Sequence, residues 1–122
     1  MKTITILVIS LYGSLSLLSS KDCSDAYSAA DDAYSYSKKA YNTNNLDDLQ
    51  YYAKKAKNSF DDAMSYADDC GCDDSYSEAD DGYRDAKKAY NSENFEDGQY
   101  YIKKAKRHAD NTMSYADDCN NE

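Results

Sequence analysis

The sequence of 122 residues contains no proline and no tryptophan, and it has only two phenylalanines, four glycines and one histidine. Proline is the residue that most often breaks a helix, so its absence leaves long helices uninterrupted. The sequence offers few candidate catalytic residues, because it shows no nucleophile motif and no phosphate-binding loop. The single histidine, His108, lies among Lys106, Arg107 and Asp110, and we expect it to be a surface residue. We therefore predict that the protein is not an enzyme.

Long apolar runs are also scarce. One such run extends from Ile4 to Leu18, directly after a short basic start. It is too short to span a bilayer comfortably, and this combination is typical of a secretory signal peptide. We predict a signal peptide over residues 1–20, with an uncleaved membrane anchor as the alternative. The mature protein is then secreted into an extracellular or periplasmic space, and no membrane insertion is expected after signal removal.

Positively charged residues are in the minority, because the chain has 14 lysines and arginines but 23 aspartates and glutamates. A strongly acidic protein repels nucleic-acid phosphates and anionic lipid heads. We therefore expect no nucleic-acid partner. Cations and basic protein surfaces are the partners that the overall charge favours.

The segment Cys23–Cys70 occurs a second time as Cys72–Cys119, and 30 of the 48 aligned positions are identical at an offset of 49 residues. Four cysteines in a small exported chain are most simply two disulfides. A bond between Cys70 and Cys72 would close a strained loop around Gly71, and pairing across the copies would tie units that are already self-contained. We therefore predict the bonds Cys23–Cys70 and Cys72–Cys119, and two structural units over residues 21–70 and 71–122.

Small and apolar residues recur at alternating steps of three and four within each half of each copy, which is typical of helices packed along a seam. Asparagine-rich segments at 42–45 and 91–94 predict turns between the halves. The predicted fold is all-α: two tandem antiparallel helical hairpins, each stapled by a disulfide, packed as a four-helix bundle. An end-to-end rod and pairing between chains are the alternatives.

Tyrosine is abundant, with 14 residues in the chain. Most recur at heptad spacing beside the seam, and we interpret these as part of the core, with a tyrosine ladder for ligand stacking or oxidative cross-linking as the alternative. These are Tyr27, Tyr34, Tyr41, Tyr52 and Tyr66 in the first copy and Tyr76, Tyr83, Tyr90, Tyr101 and Tyr115 in the second. Tyr36, Tyr51 and Tyr100 are instead the predicted interaction surface for a protein partner or for self-association.

The middle of each copy resembles a tetratricopeptide repeat. In residues 40–56 and 89–105, an Ala-Tyr helix end is followed by a polar turn, a leucine or phenylalanine, an acidic pair and a helix rich in tyrosine, lysine and alanine. The resemblance is local, because the period here is 49 residues and that family repeats about every 34. It implies paired antiparallel helices and a role in binding proteins.

Aspartates gather at the predicted cysteine ends of the helices. Carboxylate oxygens are the ligands that Ca²⁺ prefers. Acidic residues at a helix C-terminus interact unfavourably with the helix dipole, and a binding role for these residues would explain why both copies keep them. The candidate ligands are Asp68, Asp69, Asp73, Asp74, Asp117 and Asp118. A solvated acidic surface that aids solubility is the alternative.

The sequence as a whole therefore predicts a secreted, non-catalytic interaction or structural module built from duplicated helical hairpins, with no cofactor. The alternative is an acidic Ca²⁺-binding protein of the extracellular space or cell envelope.

Overall fold

The computed structural model describes residues 22–121, so the predicted signal peptide over residues 1–20 lies outside the described residues. Within this range the chain forms four helices: α1 Ser24–Tyr41, α2 Leu46–Asp69, α3 Asp73–Tyr90 and α4 Phe95–Asn120. None of the helices in this part of the chain combines the length and the apolar character that a membrane span requires.

An asparagine cap closes the turn of each hairpin. Asn45 Oδ1 accepts a hydrogen bond from the backbone N–H of Asp48 at 2.9 Å, and Asn45 Nδ2 donates to the Asp48 carboxylate at 3.0 Å. Asn94 and Asp97 make the same pair of bonds at 2.8 and 3.0 Å. Such a cap satisfies otherwise free N–H groups and is worth about 1 kcal/mol. The two turns therefore lie where the sequence predicts them.

Gly71 alone joins the two hairpins, and it adopts the left-handed conformation with φ of 72°. Its N–H donates to the Asp68 carbonyl at 3.1 Å, and the N–H of Cys72 donates to the Ala67 carbonyl at 2.9 Å. These bonds satisfy the last carbonyls of α2 while the chain reverses into α3. Glycine has no β-carbon and enters this conformation without steric cost.

The helices form an up-down-up-down bundle in which each one packs against its two neighbours in the ring α1–α2–α3–α4, with little contact across the diagonals. Disulfides join Cys23 to Cys70 and Cys72 to Cys119, with Cα atoms 5.4 and 6.1 Å apart. The predicted pairing and the predicted bundle are both confirmed. The rod does not form.

Alanine fills most of the interior, and it lets the helix backbones approach closely. The largest fully buried side chains are Phe60, Leu49 and Ile102. Each of them stands where the other hairpin has a smaller residue: Ala109, Gly98 and Ala53 at the offset of 49. The two hairpins are therefore similar in backbone but unequal in what they contribute to the core.

Paired contacts across the hairpins give the bundle an approximate twofold symmetry. The Lys57 ammonium lies 5.4 Å from the centroid of the Tyr90 ring, and Lys106 lies 5.4 Å from the centroid of Tyr41. These residues occupy equivalent positions in the two copies. A cation–π contact at an exposed site contributes about 0.5–1 kcal/mol. These repeated lysines and tyrosines therefore stabilise the contact between the two hairpins.

Tyrosine burial differs between the two ends of the bundle. Near the turns the interpretation of the flanking tyrosines as core is confirmed, because Tyr34, Tyr41, Tyr52, Tyr83, Tyr90 and Tyr101 pack against it. Near the disulfides it is wrong: Tyr27, Tyr66 and Tyr76 are each 42% exposed and Tyr115 is 39% exposed. There the interior is occupied by the cysteines together with Ala26, Ala67 and Ala116. The bridged helices leave no room for rings between them.

Candidate functional site

The cysteine end of the bundle collects the predicted Ca²⁺ ligands. Asp68, Asp69, Asp73, Asp74, Asp117 and Asp118 are all exposed. Within residues 22–121, none of the six belongs to a group of three ligand atoms lying within 4.8 Å of one another. A Ca²⁺ site at this end remains a prediction, without an assembled cage of carboxylates.

Tyr51 and Tyr100 are the most exposed of the large hydrophobic residues in the described part of the chain, at 57% and 60%. Each ring meets its neighbour edge-on, Tyr52 at 5.1 Å and Tyr101 at 5.2 Å between centroids. Lys55 and Lys104 lie over the two exposed rings. The third predicted interaction residue differs from these: Tyr36 is half-buried against the core, and both Lys39 and Lys55 lie over its ring.

A cleft lies on each hairpin between the end of its first helix and the start of its second, and we name these clefts the hairpin grooves. The first groove has a volume of about 500 Å³, and the second about 670 Å³. The first is lined by Ser35, Lys38, Lys39, Asn42 and Tyr52. The second is lined at the equivalent positions by Arg84, Lys87, Lys88, Asn91 and Tyr101. Its lining also includes the turn residues Ser92, Glu93 and Asn94 and the helix residue Asp97, so three cations and two carboxylates border it. The duplication has therefore produced one groove twice.

The one difference in residue type among those five positions is Ser35 against Arg84. Arg84 adds a third cation to the second groove, although its guanidinium also pairs with Asp80 at 3.1 Å. Lys88 lies over the Tyr101 ring at 5.6 Å. Both grooves are open, so their lysines remain in contact with solvent.

Charge is divided between the two ends of the molecule. In the described part of the chain, every lysine and arginine lies within residues 38–57 or 84–107, the halves of the hairpins nearest the turns. Residues 22–37, 58–83 and 108–121 carry carboxylates and no lysine or arginine. The acidic net charge is therefore concentrated at the cysteine end, and the grooves lie in the basic half.

A polar cluster sits between α3 and α4 and shares no residue with the groove linings, and we name it the His108 cluster (Glu78, Asp81, Asp85, His108 and Asn111). His108 Nδ1 is 3.0 Å from Glu78 Oε1, and its Nε2 is 3.3 Å from Asp85 Oδ2. Asn111 Nδ2 donates to Glu78 Oε1 at 2.9 Å. The expectation that His108 is a surface residue is wrong, because its side chain is only 16% exposed. The helix packing brings its carboxylate partners from 23 and 30 residues away.

Burial alone would raise the pKa of Glu78. Hydrogen bonds from His108 and Asn111, together with the positive charges of His108 and Arg107, outweigh that effect and hold the pKa below its ordinary value. Asp85 is a buried carboxylate, 6% exposed, with Lys104 Nζ 3.9 Å away. The cluster is therefore a partly buried site with an excess of negative charge.

The first hairpin has no such cluster. Ala29, Tyr36, Ser59 and Asp62 stand where the second hairpin has Glu78, Asp85, His108 and Asn111, and only Asp32 matches Asp81. The alignment of the two copies contains a signal for the cluster, because these substitutions fall on two facing helices. The residues that the copies share do not reveal it.

Comparison with protein-family models, curated proteins and solved structures found no match to this chain. The local resemblance of residues 40–56 and 89–105 to tetratricopeptide repeats gains no support from these comparisons.

Proposed function

We propose that the protein is a secreted, non-catalytic binding module that holds an acidic segment of a partner protein in its hairpin grooves. The observation that carries this proposal is the recurrence of the same groove in both hairpins, with two lysines, an asparagine and a tyrosine at equivalent positions. The two disulfides favour an oxidising compartment, which agrees with secretion.

The lining suits carboxylates of a peptide. Lysine ammonium groups donate hydrogen bonds and carry the complementary charge, and the asparagine amide can both donate and accept. Tyr52 and Tyr101 supply an aromatic wall, and the exposed rings of Tyr51 and Tyr100 continue it outward. Aromatic residues of this kind carry much of the energy in protein interfaces. Apolar contact and charge attraction are therefore available side by side.

The charge division favours a short acidic segment over a long polyanion. A nucleic acid that reached the basic half would also lie near the carboxylates of the cysteine end and would be repelled there. A peptide of a few residues meets only the local basic surface. Because each chain has two equivalent grooves, a partner with two such segments would gain from bivalent binding.

The direct test measures binding of a fluorescent peptide of alternating glutamate and aspartate by anisotropy, with the oxidised chain from residue 21 onward. The informative variant is K38Q/K87Q, which removes one lining lysine from each groove. We expect this variant to bind about two- to fivefold more weakly, since each groove loses one exposed charge pair worth roughly 0.5–1 kcal/mol. Raising the salt concentration should weaken wild-type binding.

The matched control is K54Q/K103Q, which removes two equivalent, exposed lysines from the same basic half without touching either groove lining. Its binding should remain near the wild-type value. Equal weakening by both double variants would mean that the peptide senses only the overall charge of this half, and the grooves would lose their role. Absence of wild-type binding at low salt would also contradict the proposal.

A further inference from the structure

We propose that the second hairpin binds one divalent transition-metal ion of the Zn²⁺ type between α3 and α4, with Glu78, Asp81 and His108 as its ligands. One ligand atom from each of these side chains lies within 4.8 Å of the other two, and all three residues are half-buried. Ligand atoms held about 2.0–2.2 Å from a tetrahedral Zn²⁺ lie roughly 3.5 Å apart. Small rotamer adjustments would close the present spacing around an ion.

The neighbouring carboxylate prepares the histidine for this role. His108 Nε2 is 3.3 Å from the buried Asp85 carboxylate. When the imidazole proton is on Nε2, next to this carboxylate, the Nδ1 lone pair is left on the side of Glu78. Histidine ligands in metal sites are usually oriented by such an outer carboxylate. Asn111 Nδ2 donates a 2.9 Å hydrogen bond to the same Glu78 oxygen, Oε1, that His108 contacts, and this bond helps to orient the carboxylate.

The short contact between Nδ1 and Glu78 Oε1, 3.0 Å, has a chemical consequence. Without an ion it is a hydrogen bond only if Nδ1 carries a proton. A metal ion bound by both groups would replace that proton between them. The cluster therefore holds two ligand atoms close enough to share one ion, with Asp81 as an additional oxygen donor.

One imidazole nitrogen with two carboxylate oxygens favours a borderline metal over Ca²⁺ or Mg²⁺, which prefer oxygen ligands throughout. The ligands lie on rigid elements, since Glu78 and Asp81 are three residues apart on α3 and His108 faces them from α4. Sites built on helices keep their geometry better than sites on loops.

The first hairpin supplies an internal control. Its equivalent residues are Ala29, Asp32 and Ser59, which leave one of the three ligands, and Tyr36 replaces Asp85. The proposal therefore specifies one ion per chain rather than two.

The test is a Zn²⁺ titration against a chromophoric chelator, using the chain from residue 21 onward without a polyhistidine tag. The disulfides must stay oxidised, because free thiolates would bind Zn²⁺ themselves. We expect one Zn²⁺ per chain. H108S and E78A, which introduce the residues of the first hairpin, should abolish binding, and D81N should weaken it by at least about tenfold, the loss that even an outer-sphere partner can cause. D32N, at the matched position of the first hairpin, should leave it unchanged.

A second measurement guards against variants that alter folding. His108 is the only histidine of the chain, so its imidazole resonances in the wild-type protein report on the site alone. Stoichiometric Zn²⁺ should shift them, and the same concentration of Ca²⁺ should not. Unshifted resonances with excess Zn²⁺, or full binding by H108S, would overturn the proposal. The peptide test of the grooves does not involve these residues, so either proposal can fail without the other.

Discussion

The ring of Phe60 lies directly against Gly82, so closely that a β-carbon at position 82 would overlap the ring. The residues at the equivalent positions are Ala109 in the second hairpin and Ala33 in the first. A large side chain therefore meets a glycine in one case, and two small residues occupy the equivalent positions. The hairpins fit each other because the copies have diverged in complementary ways.

Substituting alanine for Gly82 tests this fit. Alanine is favoured over glycine in a helix by about 1 kcal/mol, yet we expect G82A to lower the free energy of unfolding by about 1–3 kcal/mol because Phe60 must move. Urea unfolding of the oxidised protein measures the change. In an F60A background the same substitution should be neutral or stabilising. An equal cost in both backgrounds would show that the ring is not what excludes the β-carbon.

Leu49 and Gly98 form the second such pair, and they occupy equivalent positions in the two copies. A β-carbon on Gly98 would lie 2.9 Å from one methyl carbon of Leu49 and 3.3 Å from the other. We expect G98L to destabilise the bundle by more than about 2 kcal/mol through overpacking. The exchange L49G/G98L should recover part of that loss, since one large side chain again meets one glycine. Thermal unfolding of wild type, L49G, G98L and the double variant completes a double-mutant cycle. If the double variant loses as much stability as the two single variants together, the pairing is contradicted.

Ser37 is fully buried, and its hydroxyl has no hydrogen-bond partner among the described residues. An unpaired buried hydroxyl costs about 1–3 kcal/mol. S37A should therefore stabilise the protein by about 1 kcal/mol and raise Tm by roughly 4–8 °C in a domain of this size. The equivalent residue of the second hairpin is already alanine, Ala86. A86S should lower Tm by a similar amount, and a lower Tm for S37A would show that the hydroxyl is satisfied.

The lowered pKa of Glu78 predicts a specific loss of stability in acid. A carboxyl whose pKa is lower in the folded state stabilises the fold above its unfolded pKa of about 4.3, and this contribution disappears as the pH falls through the folded value. We expect the difference in unfolding free energy between wild type and E78Q to be fully present above the unfolded pKa and to shrink as the pH falls below it. Urea unfolding in the presence of a chelator measures it without interference from bound metal.

The control for this prediction is E93Q, which removes a carboxylate at an exposed turn residue outside the His108 cluster. Asp81 and Asp85 are the other carboxylates of the cluster and remain in both proteins compared. A difference between wild type and E78Q that does not change with pH would mean that the hydrogen bonds of Glu78 do not depend on its charge.

Most of the fold follows from local pattern in the sequence. The alternation of steps of three and four, the asparagine-rich turns and the cysteine at each end of each copy predict the helices, the hairpins and both disulfides. The predicted seam residues are almost all buried, with Leu46, Phe95 and Cys119 as partly exposed exceptions near the ends of helices. Heptad spacing succeeds here because helix faces are determined by residue spacing along the chain.

The tyrosines show that heptad spacing does not predict how deeply a side chain is buried. Tyr27 and Tyr41 have the same heptad position on α1, yet Tyr41 packs on the core and Tyr27 is 42% exposed. The difference comes from what the neighbouring helices place opposite each ring. Spacing identifies the side of a helix, and only the packed neighbours decide how much of that side is covered.

By itself, the sequence determined a duplicated, disulfide-stapled pair of helical hairpins, because helix periodicity, turn chemistry and cysteine placement all act over short distances along the chain. The tertiary structure alone decided that the hairpins pair through Phe60 with Gly82 and Leu49 with Gly98, that lysines gather into two equivalent grooves, and that His108 meets Glu78 and Asp85. These contacts join residues from different helices. Their distances depend on how the helices pack, and no local pattern carries that information.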